Sequence, residues 1–371
     1  VLKTTYSLPP LPPTRELETA AVLRALADAH RHLAEVKGRA ASIPNQTILI
    51  NTLALQEAKA SSEIENIVTT QDELFQASLG PGSPAAKEVA NYRDALQCGF
   101  DNLRQHGLLT NNAIIEMFRV LKRTDEGFRT TPGIALKNET TGAIVYVPQT
   151  GDEITAHMTA LERFINDENS AGLDPLVKMA LIHHQFESIH PFADGNGRIG
   201  RIINVLYLTK VGLLEIPILY LSRYINTHKA DYYRLLQAVR DDGAWEPWLL
   251  YMLRAVSNTS RQTLDLIEGM RGLMADYKRR LREHSSIKYS QDLLNILFRH
   301  PYSRIEFLQQ DLGVTRQTAA KYLDQLAEAG FVDKHQQGRN NYYINRPLIS
   351  LFMRVSEEPN NITAPRPPKS P

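Results

Sequence analysis

The sequence predicts a mostly α-helical protein with one β-hairpin near its middle and a winged helix-turn-helix near its C-terminus. Three observations carry that fold class. Most of the chain before residue 290 repeats apolar residues at three- and four-residue spacing, the period of a helix with one buried side. One early stretch, Ile134 to Val147, instead reads as two short strands about a turn at Thr141-Gly142. Residues 290–356 then set three helical patterns ahead of a strand–loop–strand.

Taken in order, the proline-rich opening, Pro9-Pro10-Leu11-Pro12-Pro13, cannot be helical. Thr14 is a suitable cap for a first helix from about Arg15, with Leu17, Ala21, Leu26 and Leu33 on its apolar side. Pro44-Asn45 ends it. A second helix starts near Thr47 and carries Ile48, Leu49, Leu53 and Leu55 towards Ser61 and Ile64. The run Leu79-Gly80-Pro81-Gly82-Ser83-Pro84 is a loop. Helical patterns follow at residues 86–103, 111–121, 153–165 and 176–188, another from the glycine-rich stretch after Asp194 to Lys210, and a long one at 245–282. In the C-terminal part, Leu293 to Leu297 is a helix and Ser303 starts a second. Gly313-Val314 is the turn, and Thr315 caps a third helix running to Ala329. Gly330-Phe331-Val332 and Tyr342-Tyr343-Ile344 flank the polar Gln336 to Asn340 as a wing. The expected domains are an N-terminal helical region (1–84), a core (85–251), a helical linker (252–289), the winged helix (290–356) and a disordered proline-rich tail (357–371).

Composition narrows the function classes. With 43% hydrophobic and 22% charged residues and a net charge of +1, the chain is globular and has no global field directing it to nucleic acid or a membrane. The single cysteine, Cys98, excludes an intrachain disulfide and a cysteine metal cluster, and is expected as a small buried residue on a helix. Without a signal-peptide core or a membrane-length apolar run, a cytoplasmic location is expected.

The chemistry concentrates in His190-Pro191-Phe192-Ala193-Asp194-Gly195-Asn196-Gly197-Arg198-Ile199-Gly200-Arg201. Pro191 helps end the helix that delivers His190. Gly195 and Gly197 leave backbone N–H groups accessible where the next helix begins, a natural anion site. Asn196 adds a neutral donor. Arg198 and Arg201, three apart, suit two successive phosphates. Asp194 makes sense beside phosphates as a Mg²⁺ ligand, and His190 as a general base. Alone, each of these is an ordinary turn or helix-surface residue; together, each type answers a different need of phosphate chemistry.

These residues resemble the signature of the Fic family, His-Pro-Phe-x-Asp-Gly-Asn-Gly-Arg-x-x-Arg, and every specified position matches. The resemblance implies a Fic-type helical core and transfer of AMP from ATP to a Ser, Thr or Tyr hydroxyl of a target protein or of the chain itself. It implies His190 as base, Asp194 as Mg²⁺ ligand, and Gly195, Asn196, Gly197, Arg198, Gly200 and Arg201 at the ATP phosphates. The related Doc branch, which transfers a phosphoryl group, has lysine where this chain has Gly197. The hairpin resembles the family's flap, on whose edge (Ile144, Val145, Tyr146, Val147) an extended target segment would pair. Tyr233, preferred over Tyr232, resembles the residue that closes over adenine. Ser61-Ser62-Glu63-Ile64-Glu65-Asn66 resembles the inhibitory motif Ser/Thr-x-x-x-Glu-Gly/Asn: with Ser61 and Glu65 on one helix face, Glu65 would take the Arg201 guanidinium that otherwise holds the γ-phosphate.

Other readings stand beside this one. In a nucleotide-sensing DNA-binding regulator, Arg316, Gln317 and Lys321 would reach a groove while Lys334 and Arg339 contact phosphates from the wing. A de-AMPylating hydrolase would use Glu65 to orient water. His183 and His184, adjacent on a helix, cannot both face one metal. His30 and His32 are expected to be solvated. The target, the winged helix's partner and the oligomeric state, a homodimer included, are left open.

Overall fold

The computed structural model describes residues 7–70, 73, 83–130, 135–137, 144–167, 172–284, 287, 289–337 and 340–357. It divides into two compact units, Val1–Thr263 and Leu264–Pro371. The mostly α-helical expectation holds in both.

In the first unit α1 spans Ala20–Ala40, and its cap is Thr19, not Thr14. The reason is tertiary. Glu18 accepts a 2.7 Å hydrogen bond from the Asp174 backbone and Leu17 is buried, so the residues before Thr19 are held as a packed lead-in. Of the two histidines expected to be solvated, His32 is buried, within 3.1 Å of the Ser257 hydroxyl, while His30 stays part-exposed and pairs with Asp174 at 2.8 Å. Helix α2, Gln46–Ile64, starts at the Asn45 cap. It stops one residue short of Glu65, and Asn66 then adopts φ 61°. That left-handed conformation is one that asparagine and glycine tolerate. Ser83 caps α3, Pro84–His106, and Thr110 caps α4, Asn111–Lys122. Cys98, on α3, is only half-buried.

The hairpin is short. Strand β1, Leu136–Lys137, pairs antiparallel with β2, Ile144–Tyr146, setting Leu136 opposite Tyr146 and Lys137 opposite Ile144. Ile134 and the Thr141-Gly142 turn lie outside the described residues, as do residues 79–82 of the expected loop. Helices α5 (Asp152–Asn166), α6 (Pro175–Ile189) and α7 (Asn196–Lys210) follow, α6 packing on both its neighbours. Every residue of α6 from Leu176 to Ile189 is buried, which marks a central helix enclosed on all sides. Its polar members need partners there. His183 lies 2.8 Å from the Tyr232 hydroxyl and 3.0 Å from the Asn204 amide, within an aromatic cluster that includes Trp248. Helix α8 (Ser222–Thr227), absent from the sequence reading, and α9 (Lys229–Asp242), which carries Tyr232 and Tyr233, precede the long α10, Trp245–Glu283.

The second unit holds the end of α10, then α11 (Gln291–Arg299), β3 (Tyr302–Ser303), α12 (Ile305–Leu312), α13 (Arg316–Glu328), β4 (Asp333–Gln337), β5 (Asn340–Ile344) and α14 (Arg346–Glu357). Its sheet is antiparallel in the order β3-β5-β4. Three helices and a hairpin occur in the expected order, but the strands are displaced. The first wing strand begins at Asp333 and takes in Gln336 and Gln337, while Phe331 and Val332 are buried ahead of it. The Tyr277 hydroxyl fixes this arrangement, its one proton placed between two acceptors, the Phe331 carbonyl (2.7 Å) and Asn345 Oδ1 (3.0 Å). Arg339 and residues 358–371 lie outside the described residues. Among the described residues, no helix is long and apolar enough to cross a membrane.

Candidate active site

The site is built where α6 hands over to α7. His190 closes α6 with φ 51°, its N–H donating to the Phe186 carbonyl at 2.9 Å. A left-handed conformation in a non-glycine residue costs roughly 1–3 kcal/mol, and Pro191 already disfavours helix at this position. The surroundings hold the turn. Arg129 donates from its backbone to the Pro191 carbonyl and from Nε to the His190 carbonyl, both at 2.8 Å. Phe192 is buried, stacked on Phe118 at 4.0 Å. Burial, then the positive charges of Arg129 and Arg240, push the His190 pKa down to about 4, so the imidazole is neutral at pH 7.

Gly195 immediately precedes α7 with a φ of 79° that suits glycine, and no side chain caps the first turn. The uncapped N–H end of a helix with two adjacent guanidiniums is an anion cradle. Asn196, expected as a neutral donor to phosphate, sits 2% exposed and clamps the loop: its Oδ1 accepts from the Phe192 N–H and its Nδ2 donates to the Phe192 carbonyl, both at 2.8 Å. Gly197 and Gly200 are close-packed positions. A Cβ on Gly197 would lie 2.8 Å from a Glu65 oxygen, and one on Gly200 2.9 Å from a Glu187 oxygen.

Arg198 and Arg201 are not a solvated face. Their side chains are 1% and 2% exposed. Buried guanidiniums require anionic partners, and Glu65 bridges the two, with Arg198 Nε 2.8 Å from Oε2 and Arg201 Nη2 3.0 Å from Oε1. The expectation named Arg201 alone; the structure adds Arg198. Ser61 completes the cage, its hydroxyl accepting from Arg201 Nε at 2.8 Å and its carbonyl from Nη2 at 2.9 Å. Glu65 is the residue after the last turn of α2, not a member of a shared helix face, and reaches the arginines from that helix end. Burial works against the Arg201 charge, yet Glu65 and neighbouring groups raise its pKa above the usual guanidinium value. Glu187, buried in the same region, has its pKa raised to about 7 by burial, with Arg201 opposing.

Asp194 lies at the rim, its side chain 63% exposed, its Oδ1 accepting from the Gly195 N–H at 2.7 Å and its Oδ2 from Lys122 Nζ at 2.6 Å. Among the described residues, no group of three His, Cys, Asp or Glu side chains gathers to hold a metal. One exposed carboxylate beside an anion cradle fits Mg²⁺, which keeps waters and phosphate oxygens as its other ligands.

The remaining sequence candidates divide. Tyr233 is 49% exposed while Tyr232 is 2% exposed and engaged with His183, so only Tyr233 offers a ring to a ligand. Of the flap residues, Ile144 and Val145 are 45% and 44% exposed and Val147 is half-buried. Tyr146 faces inward: its hydroxyl donates to the Ser188 carbonyl at 2.6 Å and the Arg240 guanidinium covers its ring at 4.2 Å. In the second unit Arg316, Gln317 and Lys321 are exposed on α13; Arg316 pairs with Glu306, and Lys334 with Asp324, each at 2.7 Å. Sequence reasoning passed over Glu88, Lys122, Arg129 and Arg240. Each is one charged residue on a helix or loop remote from the motif, with no local signal to separate it from the solvated surface.

Comparison with known proteins agrees with this geometry. The profile described as Fic/DOC family N-terminal matches residues 23–101, that of the Fic/DOC family matches 108–208, and that of the protein adenylyltransferase SoFic-like C-terminal domain matches 273–348. The protein adenylyltransferases Fic of Drosophila melanogaster and Drosophila yakuba are 30% and 31% identical over 121 residues, 33% of this chain. The chain thus spans about a fifth of the length of these curated relatives (22%). Among solved structures, a Fic family protein from Desulfovibrio desulfuricans G20 aligns with 91% of this chain and 98% of its own at TM-score 0.55 and 22% identity. A Fic domain containing signaling protein from Bacteroides thetaiotaomicron aligns with 67% and 97%, at TM-score 0.53 and 18% identity. Family profiles that succeed one another along the sequence, joined by relatives named protein adenylyltransferase Fic, lead to one conclusion: the chain belongs to the Fic/DOC family.

Proposed function

We propose that this protein is an adenylyltransferase that moves AMP from ATP to a protein hydroxyl and is held in check by Glu65. The observation that carries this reading is the carboxylate of Glu65 lying between two buried arginines at an uncapped helix N-terminus. An anion of the chain's own occupies a cradle with the charge and donors for phosphate. The adenylyltransferase names of the curated relatives support the transferred group.

In this reading the neutral imidazole of His190 takes the proton from the target hydroxyl as its oxygen bonds to the α-phosphorus. The bond to the bridging oxygen breaks and pyrophosphate leaves. Arg198 and Arg201 hold the departing phosphates, assisted by the first-turn N–H groups of α7, so catalysis is largely positioning and electrostatics. Mg²⁺, held by Asp194 and phosphate oxygens, would supply charge neutralisation. Tyr233 would cover the adenine, and the exposed edge at Ile144 and Val145 would receive an extended target segment.

Incubation with ATP labelled at the α or the γ position tests the transferred group. Transfer of α-label to protein supports the reading. Transfer of γ-label alone would indicate phosphorylation, and release of AMP from a modified protein without transfer would favour the hydrolase.

A further inference from the structure

The carboxylate assigned to Mg²⁺ already has a cation. Lys122, the last residue of α4, places Nζ 2.6 Å from Asp194 Oδ2 and 3.3 Å from Glu88 Oε1. Its stem runs beside the first turn of α7, since a Cβ on Gly195 would lie 3.5 Å from Lys122 Cδ. Glu88 is anchored in turn by the buried Arg198 guanidinium, whose Nη2 also lies 3.6 Å from Asp194 Oδ2. The Lys122 side chain is 26% exposed, part-sheltered and with two carboxylates to choose between.

We infer that Lys122 is a positioning residue that serves as the resident cation of Asp194, so that metal binding is an exchange in which Mg²⁺ displaces the ammonium. The inference rests on the proposed role of Asp194. With Mg²⁺ about 2.0–2.1 Å from its ligand, an ammonium held on the same oxygen stands close enough to repel it, so the two cations compete for Asp194. Glu88 gives the displaced ammonium a place to go: it is already within 3.3 Å of Nζ, so the lysine can release Asp194 without losing all its partners. Two consequences follow. Before nucleotide arrives, Asp194 keeps its orientation and the rim carries no unpaired carboxylate facing incoming phosphates. When metal and nucleotide arrive together, the exchange sets against Mg²⁺ the free energy of the lysine–aspartate pair.

The test measures binding and requires no turnover. The affinity of the full chain for a fluorescent ATP analogue is determined in saturating Mg²⁺ and in EDTA, for the parent, Lys122→Met, Lys122→Gln and Asp194→Asn. Met and Gln retain most of the stem beside Gly195, and thermal melting checks that each variant is folded. A part-exposed ion pair is worth on the order of 1 kcal/mol, so removing the competitor should tighten nucleotide binding in Mg²⁺ by roughly three- to tenfold, without tightening it in EDTA. Lysine acting instead as a plain phosphate ligand gives the opposite sign, weaker binding in Mg²⁺. Unchanged or weakened binding in Mg²⁺ for folded Lys122 variants overturns the exchange. The Asp194→Asn arm separates the layers. If it abolishes the Mg²⁺ enhancement while the Lys122 variants behave as the parent, only the exchange fails. If it leaves the enhancement intact, the metal assignment fails and the exchange with it.

Discussion

Under the proposed function, replacing Glu65 with glutamine or glycine should raise AMP transfer and, in the absence of nucleotide, weaken the fold. The two effects have one cause. Glu65 supplies anionic contacts at 2.8 and 3.0 Å to guanidiniums only 1% and 2% exposed. The Arg201 contact is a hydrogen bond between charged groups, contributing about 1.5–3 kcal/mol, and the Arg198 Nε contact adds an ion pair without hydrogen-bond geometry. The loss is smaller than their sum, because Glu88 still pairs with Arg198, and Ser61 still accepts two hydrogen bonds from Arg201. A net advantage to the incoming γ-phosphate of about 2–3 kcal/mol corresponds to a rate gain of roughly 30- to 150-fold. Leaving buried guanidiniums short of a partner should cost about 3 kcal/mol of stability without ligand, and ATP should restore most of it. The assay is transfer of α-label from ATP, paired with thermal melts in the presence and absence of ATP. Since Glu65 lies just beyond α2, the full helical penalty of glycine does not apply, and Glu65→Gln controls for backbone effects. The gain should disappear when Arg201→Ala is added. If both variants fold, bind ATP and transfer label no faster than the parent, Glu65 is a structural ion-pair partner and not an inhibitor.

The other predictions are more local. His190→Ala should lower transfer by roughly a hundred- to ten-thousand-fold while nucleotide affinity, read by fluorescence titration, stays at the parent level. Because the His190 pKa is pushed from 6.5 to about 4, the base form persists on acidification, so the acid limb of the pH–rate profile should lie near pH 4 and not near 6.5. Arg240→Gln, removing one repelling charge, should move that limb upward. The same depression has a sign for stability: the unfolded chain binds the proton more readily, so the stability contribution of neutral His190 is present above pH 6.5 and lost as pH falls towards 4. Gly200→Ala should cost about 1–3 kcal/mol in chemical denaturation, since its Cβ would meet a Glu187 oxygen at 2.9 Å and Phe186 at 3.2 Å. By contrast Gly38→Ala, on α1 with nothing within 4 Å of the new Cβ, should stabilise by up to about 1 kcal/mol.

The sequence alone determined the helical class, the helix periods and the residues that make the cradle, because these signals are contiguous. Apolar spacing is a local record of which side of a helix is buried, and His190 to Arg201 forms one turn between two helices. The asparagine after Glu65 was legible as part of a motif; only the backbone, with Asn66 at φ 61°, explains why that position takes Asn or Gly. Tertiary structure decided what the charges do. Arg198 and Arg201 read as a pair facing one way, yet their burial, their shared partner Glu65 and the support of Glu88 depend on α2 and α3 packing against α7. The start of α1 moved to Thr19 because Glu18 is held by Asp174, a residue far along the chain. Tyr146 turned inward, and Tyr233 but not Tyr232 outward, through contacts with Ser188, Arg240 and His183. Lys122 is the clearest case. On α4 it is one more lysine in the last turn of an amphipathic helix, and its pairing with Asp194 exists only because the fold brings that turn to the start of α7. Periodicity encodes which face is buried, but the partner of a charge is a property of two segments at once, and no single stretch of sequence carries it.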